Sequence, residues 1–297
     1  MAASETTTSS LSDSLQTIIA SARLTRVAEG KIKQFCDNVT LDDNTGLSWH
    51  EISMDQITAQ TVTETTKLDN PQELSDTKFS VTPSMIGVLV IVTDRTARRI
   101  ASKVYSQIGQ LGQMAIEKKV DVDGLTMLDA ATTSLCGAAT TLTSGYITAA
   151  DARVRGNSTE PWSGSTAFFG HSYQVKDLKD EIIAGVGTYS DSPAGSVVAN
   201  VFQDGSIQGK IGGVTIVIDD NITIDSAADA KGGVFASGTG GALVCVQGKA
   251  PWFKEVRDES FGGGATKYYH YDEYAFGERS SGNWLYEIYS DATAPTS

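Results

Sequence analysis

The chain has 297 residues, 40% of them hydrophobic and 20% charged, which suits one large or two modest globular domains and excludes a wholly disordered protein. Its formal net charge of −13 at pH 7 excludes a free nucleic-acid reader, because such proteins gather Lys and Arg to neutralise phosphates. The 29 glycines, together with abundant Thr and Val, favour a β-rich fold with many turns.

The apolar residues do not form a run long enough for a membrane span, and the His and Cys residues are not spaced as a metal site requires. The longest apolar run, Met85 to Val92, is too short to cross a bilayer, so we expect no membrane association. The three histidines and three cysteines are scattered, without the close spacing that a metal site needs. We therefore expect no metal, no cofactor and free thiols.

The N-terminal part of the chain predicts an arm followed by a long hairpin. Residues 1–29 are Ser/Thr-rich and then weakly amphipathic, which is typical of a flexible arm. Two Thr/Val-containing stretches, 52–68 and 77–82, flank the turn cluster Asp69-Asn70-Pro71. Few hairpin positions are large and apolar, and a lone polar hairpin is marginal in water. We therefore expect this hairpin to lie on a neighbouring subunit.

A buried strand and a long helix come next. The run SMIGVLVIV from Ser84 to Val92 predicts a strand, and a helix is predicted from Asp94 to Lys119. Gly109 and Gly112 lie inside this helix and permit either close packing or a bend. The predicted apolar face of the helix consists of Ala97, Ile100, Ala101, Val104, Ile108, Leu111 and Ala115.

The same helix carries a basic cluster, Arg95, Arg98, Arg99 and Lys103, on the side opposite the predicted apolar face. One interpretation is a solvated or salt-bridged helix face. The other is a surface that lines the inside of a shell and offsets the phosphate charge of packaged DNA.

The rest of the chain alternates helical and strand signals up to residue 240 and then becomes antiparallel β. Thr166–Gly170 predicts a strand, Ser172–Ile183 a helix, and Gly212-Gly213 a hairpin turn. A Gly-rich break is predicted over 231–241. The aromatic-rich strands of 242–289 are expected to pack against the long helix.

No pattern in the chain predicts catalysis. The nucleophile elbow G-x-S-x-G is missing, and the Gly-Lys at 209–210 lacks the spacing of a phosphate loop. The adjacent carboxylates Asp219-Asp220 and Asp272-Glu273 point to opposite faces if they lie on strands. Asp121 to Gly124 predicts a turn. We therefore expect a protein that is not an enzyme.

Several strings, in order, resemble the major capsid proteins of tailed phages, which have the Hong Kong 97-type fold. The resemblance covers roughly residues 23–292 and rests on the order of weak motifs. The strings are VTPSMIGVLVIVTDRTARRI, ITAADARVRGN, FFGHSYQVKDLKDEI, GSIQGKIGGVTIVIDDNI, GALVCVQGKAPWFKEVRD and YDEYAFGERSSGNWLYEIYSDA.

The resemblance implies an α+β fold with an N-terminal arm, an extended β-hairpin loop, a long spine helix, a peripheral domain and an axial domain. The implied divisions are the arm (1–29), the peripheral domain (30–52, 83–121 and 241–297), the extended loop (53–82) and the axial domain (122–240). The hairpin tip, expected to contact another subunit, comprises Lys67, Leu68, Asp69, Asn70 and Pro71.

The implied function is a major capsid protein that assembles in the host cytoplasm, as pentamers and hexamers, into the icosahedral shell of a tailed phage. The implied partners are other copies of the chain, a separate scaffolding protein, a portal, decoration proteins and non-specifically bound double-stranded DNA. Two alternatives stay open from the sequence. One is an encapsulin-type nanocompartment shell, and the other, of a different class, is a β-rich phage adhesin or hydrolase.

Overall fold

The computed structural model describes residues 30–42, 46–65, 71–99, 102–186, 207–280 and 282–296, so the predicted arm lies outside the described residues. No helix among these segments is long and apolar enough to cross a membrane. The elements in chain order are α1 (Ile32–Phe35), β1 (Asp37–Thr40), β2 (Trp49–Met54), β3 (Asp76–Val81), β4 (Ser84–Thr93), α2 (Asp94–Arg99), α3 (Ser102–Asp129), β5 (Ser134–Cys136), α4 (Ser144–Arg155), β6 (Thr166–Gly170), α5 (Ser172–Val186), β7 (Ile207–Ile211), β8 (Val214–Ile218), β9 (Asp229–Ala236), β10 (Leu243–Asp258), β11 (Ala265–Glu278) and β12 (Leu285–Asp291).

The strands form three sheets. A four-stranded sheet has the order β1-β10-β11-β4, a six-stranded sheet has the order β5-β12-β9-β6-β8-β7, and β2 pairs with β3 alone. The predicted hairpin exists, although its strands are shorter than the predicted stretches. The predicted closing segment divides between the two larger sheets, because β10 and β11 join the four-stranded sheet while β12 pairs with β9 and β5.

The main hydrophobic core lies on the six-stranded sheet. The fully buried residues Phe168, Phe169 and Ile216 come from its adjacent strands β6 and β8. Helices α4 and α5 contribute Ile147 and Leu178 to the same core. The predicted strand at Thr166–Gly170 and the predicted helix beginning at Ser172 are confirmed.

The Gly-rich break predicted over 231–241 is wrong in its first half, because Asp229–Ala236 forms β9 in the middle of the six-stranded sheet. Its second half is confirmed, because 237–241 is a turn in which Gly238 and Gly240 have positive φ. The glycines of β9 serve close packing. A Cβ on Gly232 would collide with the backbone of Phe169, and one on Gly233 would lie 3.3 Å from the side chain of Leu128. Glycine here permits the approach of a neighbouring strand and a helix.

Helix α3 connects the two larger sheets. Ile116 and Val120 pack with Tyr274 of β11 beneath the four-stranded sheet, whereas Leu125 and Leu128 join the core of the six-stranded sheet. Because of this second contact the helix continues as far as Asp129, so the turn predicted at Asp121 to Gly124 is wrong. The predicted end at Lys119 is too early for the same reason, because tertiary packing outweighs the turn preference of Asp and Gly.

The predicted apolar face is wrong at three of its described positions. Ala97, which lies on α2, and Ala115 are exposed, and Leu111 is 45% exposed. The side chains of Ile100, Ala101 and Val104 lie outside the described residues. The residues of α3 that face the four-stranded sheet are Gly112, Ile116 and Val120, which are one turn apart. The pattern misled because it counted alanines as core residues and left Gly112 out of the face.

The two glycines of α3 differ in their surroundings. A Cβ on Gly112 would lie 2.6 Å from the buried ring of His270, whereas a Cβ on Gly109 would meet nothing within 4 Å. Gly112 thus permits the close approach of β11 to the helix. Burial lowers the pKa of His270, which favours a neutral ring at this contact.

A buried carboxyl pair fastens α1, α3 and β8 together. Asp121 of α3 accepts hydrogen bonds from the backbone N–H groups of Lys31 and Ile32 at 2.6 and 3.1 Å, and from Asn221 Nδ2 at 2.8 Å. Asp219, which follows β8, is fully buried beside it. Burial and the neighbouring Asp121 carboxylate raise the pKa of Asp219 to about 7. A protonated Asp219 therefore donates to Asp121.

Matched substitutions at the two helix glycines test the packing role of Gly112. Gly109→Ala should raise the unfolding free energy by up to about 1 kcal/mol, because alanine is the better helix former at an open position. Gly112→Ala should lower it by roughly 1–3 kcal/mol, because the new methyl group displaces His270. Urea unfolding of the unassembled subunit measures both changes, and equal changes of one sign would contradict the close-packing role.

The buried carboxyl pair predicts a pH dependence of stability. In the unfolded chain Asp219 ionises near its ordinary pKa of about 4, whereas in the fold it keeps its proton until about pH 7. The unfolding free energy contributed by this group therefore falls as pH rises from about 4 to 7.

Asp219→Asn should flatten that fall, because the amide stays neutral and still donates to Asp121. Glu255→Gln removes an exposed carboxylate and serves as the control, which should keep the wild-type slope. Chemical unfolding at several pH values measures the slopes. A wild-type slope in Asp219→Asn would show that this carboxyl is not the group responsible.

Candidate subunit-contact site

The base of the β2–β3 hairpin packs on the chain's own four-stranded sheet. Val81 is buried with Val244 and Val246 of β10. Trp49 and Phe79 lie against this cluster with their rings edge to face at 6.0 Å. The hairpin thus has an internal surface at its base, so the expectation that it rests entirely on a neighbour is wrong for this part.

A charged group also holds the hairpin base. The Arg279 side chain, 11% exposed, donates from Nε to Glu51 Oε2 at 2.6 Å and pairs through Nη2 with Asp37 Oδ2 at 2.7 Å. Its Nη1 donates to the Gly241 carbonyl at 3.0 Å. Its guanidinium lies 5.6 Å from the centre of the Trp49 ring. Sequence reasoning missed this group, because Arg279 and Glu51 are 228 positions apart.

The opposite face of the hairpin carries exposed apolar side chains among polar ones such as Lys78 and Asp76. Side chains alternate along a strand, so the pairing of Glu51 with Phe79 places Ile52 and Met54 on the face that points away from the base cluster. These two side chains are 60% and 74% exposed. Further along, Ile57, Val62 and Leu74 are 66%, 50% and 70% exposed. Such an apolar surface is typical of an interaction site.

The distal hairpin is held together by polar contacts. Gln72 accepts from the backbone of Thr58 at 2.7 Å and donates back to its carbonyl at 2.5 Å. Gln56 reaches the carbonyl of Thr159 on the body. Of the predicted tip residues, Lys67, Leu68, Asp69 and Asn70 lie outside the described residues, while Pro71 is exposed.

A second exposed apolar patch lies on the four-stranded sheet. Ile86 and Val88 of β4 pack towards α3, so Met85 and Leu89 point to the other face, where they are 63% and 47% exposed. Trp252 and Tyr271 stack on the neighbouring strands of this sheet with ring centres 5.3 Å apart. The sheet thus has one face covered by α3 and one face with exposed apolar groups.

The structure places three of the predicted basic residues together on α2. Arg95, Arg98 and Arg99 are exposed, and in the part of the chain that the structure describes none of them forms an ion pair. The side chain of Lys103 lies outside the described residues. The interpretation of this cluster as a DNA-facing surface stays a prediction.

Arg257 fixes the start of the basic helix. Its guanidinium donates two hydrogen bonds to the Asp94 carboxylate, at 2.8 and 2.7 Å, and these lower the pKa of that carboxyl. The nearby charge of Arg98 also lowers the pKa of Asp94, so this carboxylate offsets part of the charge of the arginine cluster. The described residues contain no cluster of His, Cys, Asp and Glu that could hold a metal ion.

Comparisons with known proteins find relatives in structure and none in sequence. No protein-family model matches the chain, and neither does any curated protein. The capsid of Cyanophage Pam1 matches with a TM-score of 0.69 and 11% identity, covering 99% of this chain and 100% of that chain. The chain has the Hong Kong 97-type capsid fold.

Two further structures support the assignment of this fold. The capsid of Ralstonia phage GP4 matches with a TM-score of 0.67 and 10% identity, over 95% of this chain and 98% of that one. The head structure of Helicobacter pylori bacteriophage KHP40 matches with a TM-score of 0.66 and 10% identity, over 97% of both. We use the name extended loop for the β2–β3 hairpin, residues 49–81.

Proposed function

We propose that this chain is the major capsid protein of a tailed phage, a structural protein that self-assembles into the icosahedral shell around the double-stranded DNA genome. The observation that carries the proposal is the near-complete match, from end to end, with subunits of phage capsids. The exposed apolar face of the extended loop supports it, because a subunit that covers a neighbour needs such a surface.

The proposal includes the assembly units and partners. Pentamers and hexamers of the chain form the shell, with a separate scaffolding protein, a portal and decoration proteins as further partners. Residues 122–240 form the axial domain, and residues 30–52, 83–121 and 241–297 form the peripheral domain, with the exception of β12, which pairs in the six-stranded sheet and so joins the axial domain. The extended loop, including its tip at residues 67–71, then contacts the adjacent copy.

The test of the proposal is the particle that the purified chain forms with its packaging partners. Megadalton shells that contain DNA, seen by size-exclusion chromatography and electron microscopy, would support it. Shells that contain a protein cargo and no DNA would favour an encapsulin-type compartment. A small oligomer under all assembly conditions would contradict both.

The extended loop predicts an assembly defect without a folding defect. Ile52→Ser combined with Met54→Ser should leave the unfolding free energy of the subunit within about 0.5 kcal/mol, because both side chains are exposed. Particle formation should fall at least tenfold, measured by light scattering, because the apolar contact with a neighbour is lost.

Leu111→Ser makes the same kind of change at a side chain of α3 that is 45% exposed, and it should assemble like the wild type. Normal assembly of the Ile52/Met54 double variant would show that this face is not a subunit contact.

We also propose that the basic face, Arg95, Arg98, Arg99 and Lys103, lines the shell interior and offsets phosphate charge. Reversing Arg95, Arg98 and Arg99 to Glu should leave empty shells intact and reduce the packaged DNA per particle severalfold, because attraction becomes repulsion. Quantifying nuclease-protected DNA measures the effect. A triple Arg→Lys variant keeps the charge and should package normally, and unchanged packaging in the Glu variant would overturn the proposal.

A further inference from the structure

The Arg279 guanidinium at the base of the extended loop uses each of its three nitrogens in a separate polar contact. Nε meets Glu51, Nη2 meets Asp37 and Nη1 meets the Gly241 carbonyl, all at 2.6 to 3.0 Å. The backbone N–H of Arg279 donates to the Ala242 carbonyl at 2.7 Å. Because a planar guanidinium offers its donors in a rigid fork, these contacts fix directions as well as distances.

The partners of Arg279 belong to two different parts of the molecule. Asp37 lies on β1, and Arg279 and Gly241 flank β11 and β10, so these three residues belong to the four-stranded sheet. Glu51 lies on β2 of the extended loop. One arm of the fork therefore holds the body, and the other arm holds the loop.

No pairing between described strands joins the extended loop to the body, although the chain passes from β3 into β4 through Thr82 and Pro83. Among the described residues, β2 and β3 pair with each other and with no other strand. Trp49, Phe79 and Val81 anchor the loop base by apolar contact, and such contact is non-directional. The angle at which the loop leaves the body thus depends on directional contacts. The Arg279 fork supplies them at the loop base, and Gln56 adds a hydrogen bond to the Thr159 carbonyl further out.

We propose that Arg279 is a positioning residue that sets the direction of the extended loop, and so the place on the neighbouring copy that the loop reaches. This inference rests on the proposed capsid function. The hydrogen bond from Arg279 to Glu51 aligns the loop, whereas the ion pair of Arg279 with Asp37 holds the guanidinium in place. Without the loop arm, the apolar base stays attached and the loop samples several angles.

Two substitutions that each delete one carboxylate separate the arms. Glu51→Ala removes the loop arm, and Asp37→Ala is the matched control that removes the body arm. Hydrogen exchange of the unassembled subunit measures the local effect. The loop strands at 49–54 and 76–81 should exchange roughly tenfold faster in Glu51→Ala, the loss expected for one charge-assisted hydrogen bond. In Asp37→Ala their exchange should change much less.

Assembly gives the second readout, which a merely stabilising role would not change. Glu51→Ala should yield particles of mixed diameter by electron microscopy at a near-wild-type unfolding free energy, because loops at varied angles fit neighbours at varied curvature. Glu51→Gln, which keeps a hydrogen-bond acceptor, should restore part of the uniformity. If an alanine variant does not fold, the single variants Glu51→Gln and Arg279→Lys repeat the comparison with smaller changes to the side chains.

Three outcomes would overturn the inference: equal loop exchange in the two alanine variants, unchanged exchange in both, or uniform wild-type particles from Glu51→Ala despite faster loop exchange. Each of these leaves the capsid function standing. If the wild-type chain makes no particles with any partner, the capsid function itself fails, and hydrogen exchange still decides whether the fork aligns the loop.

Discussion

The contact of α3 with both larger sheets is the constraint on which the rest of the structure depends. One half of the helix packs under the four-stranded sheet and the other half enters the core of the six-stranded sheet. The approach is close at Gly112, against His270, and at Gly124, where a Cβ would lie 2.5 Å from Ile32 and 3.1 Å from Phe276. A 28-residue helix is about 42 Å long, so it sets the spacing of the two sheets.

Polar groups fix the relative orientation of elements in places where apolar packing alone would allow several orientations. Asp121 joins the start of the described chain to α3 and to the end of β8. Arg279 joins the extended loop to the four-stranded sheet in the same way. Both groups are buried or nearly buried and fully hydrogen-bonded, the condition under which a buried charge is tolerated. The apolar groups that remain exposed, such as Met54 and Met85, lie on surfaces that a second copy of the chain covers in the proposed shell.

Elements with a strong local signal were predictable. The apolar run at β4, the turn at Gly212-Gly213 and the strand followed by a helix at β6 and α5 all follow from residue pattern, and the structure contains each of them. Several predictions that were wrong or left open concern glycines. The glycines of β9 suggested a break, and the sequence left close packing and a bend both open for Gly112. A glycine that starts a turn and one that lets a helix touch a strand look alike in the sequence.

Residue patterns were enough to predict the order of the elements, the basic cluster at 95–99 and, through resemblance, the Hong Kong 97-type fold. Each depends on residues close together in the chain or on the order of such segments along it. The packed structure was needed to show which face of α3 is buried, which sheet β12 joins, and that Arg279, Glu51 and Asp37 meet. Those contacts join residues far apart in the chain, and their geometry exists only after both sheets have packed against the same helix.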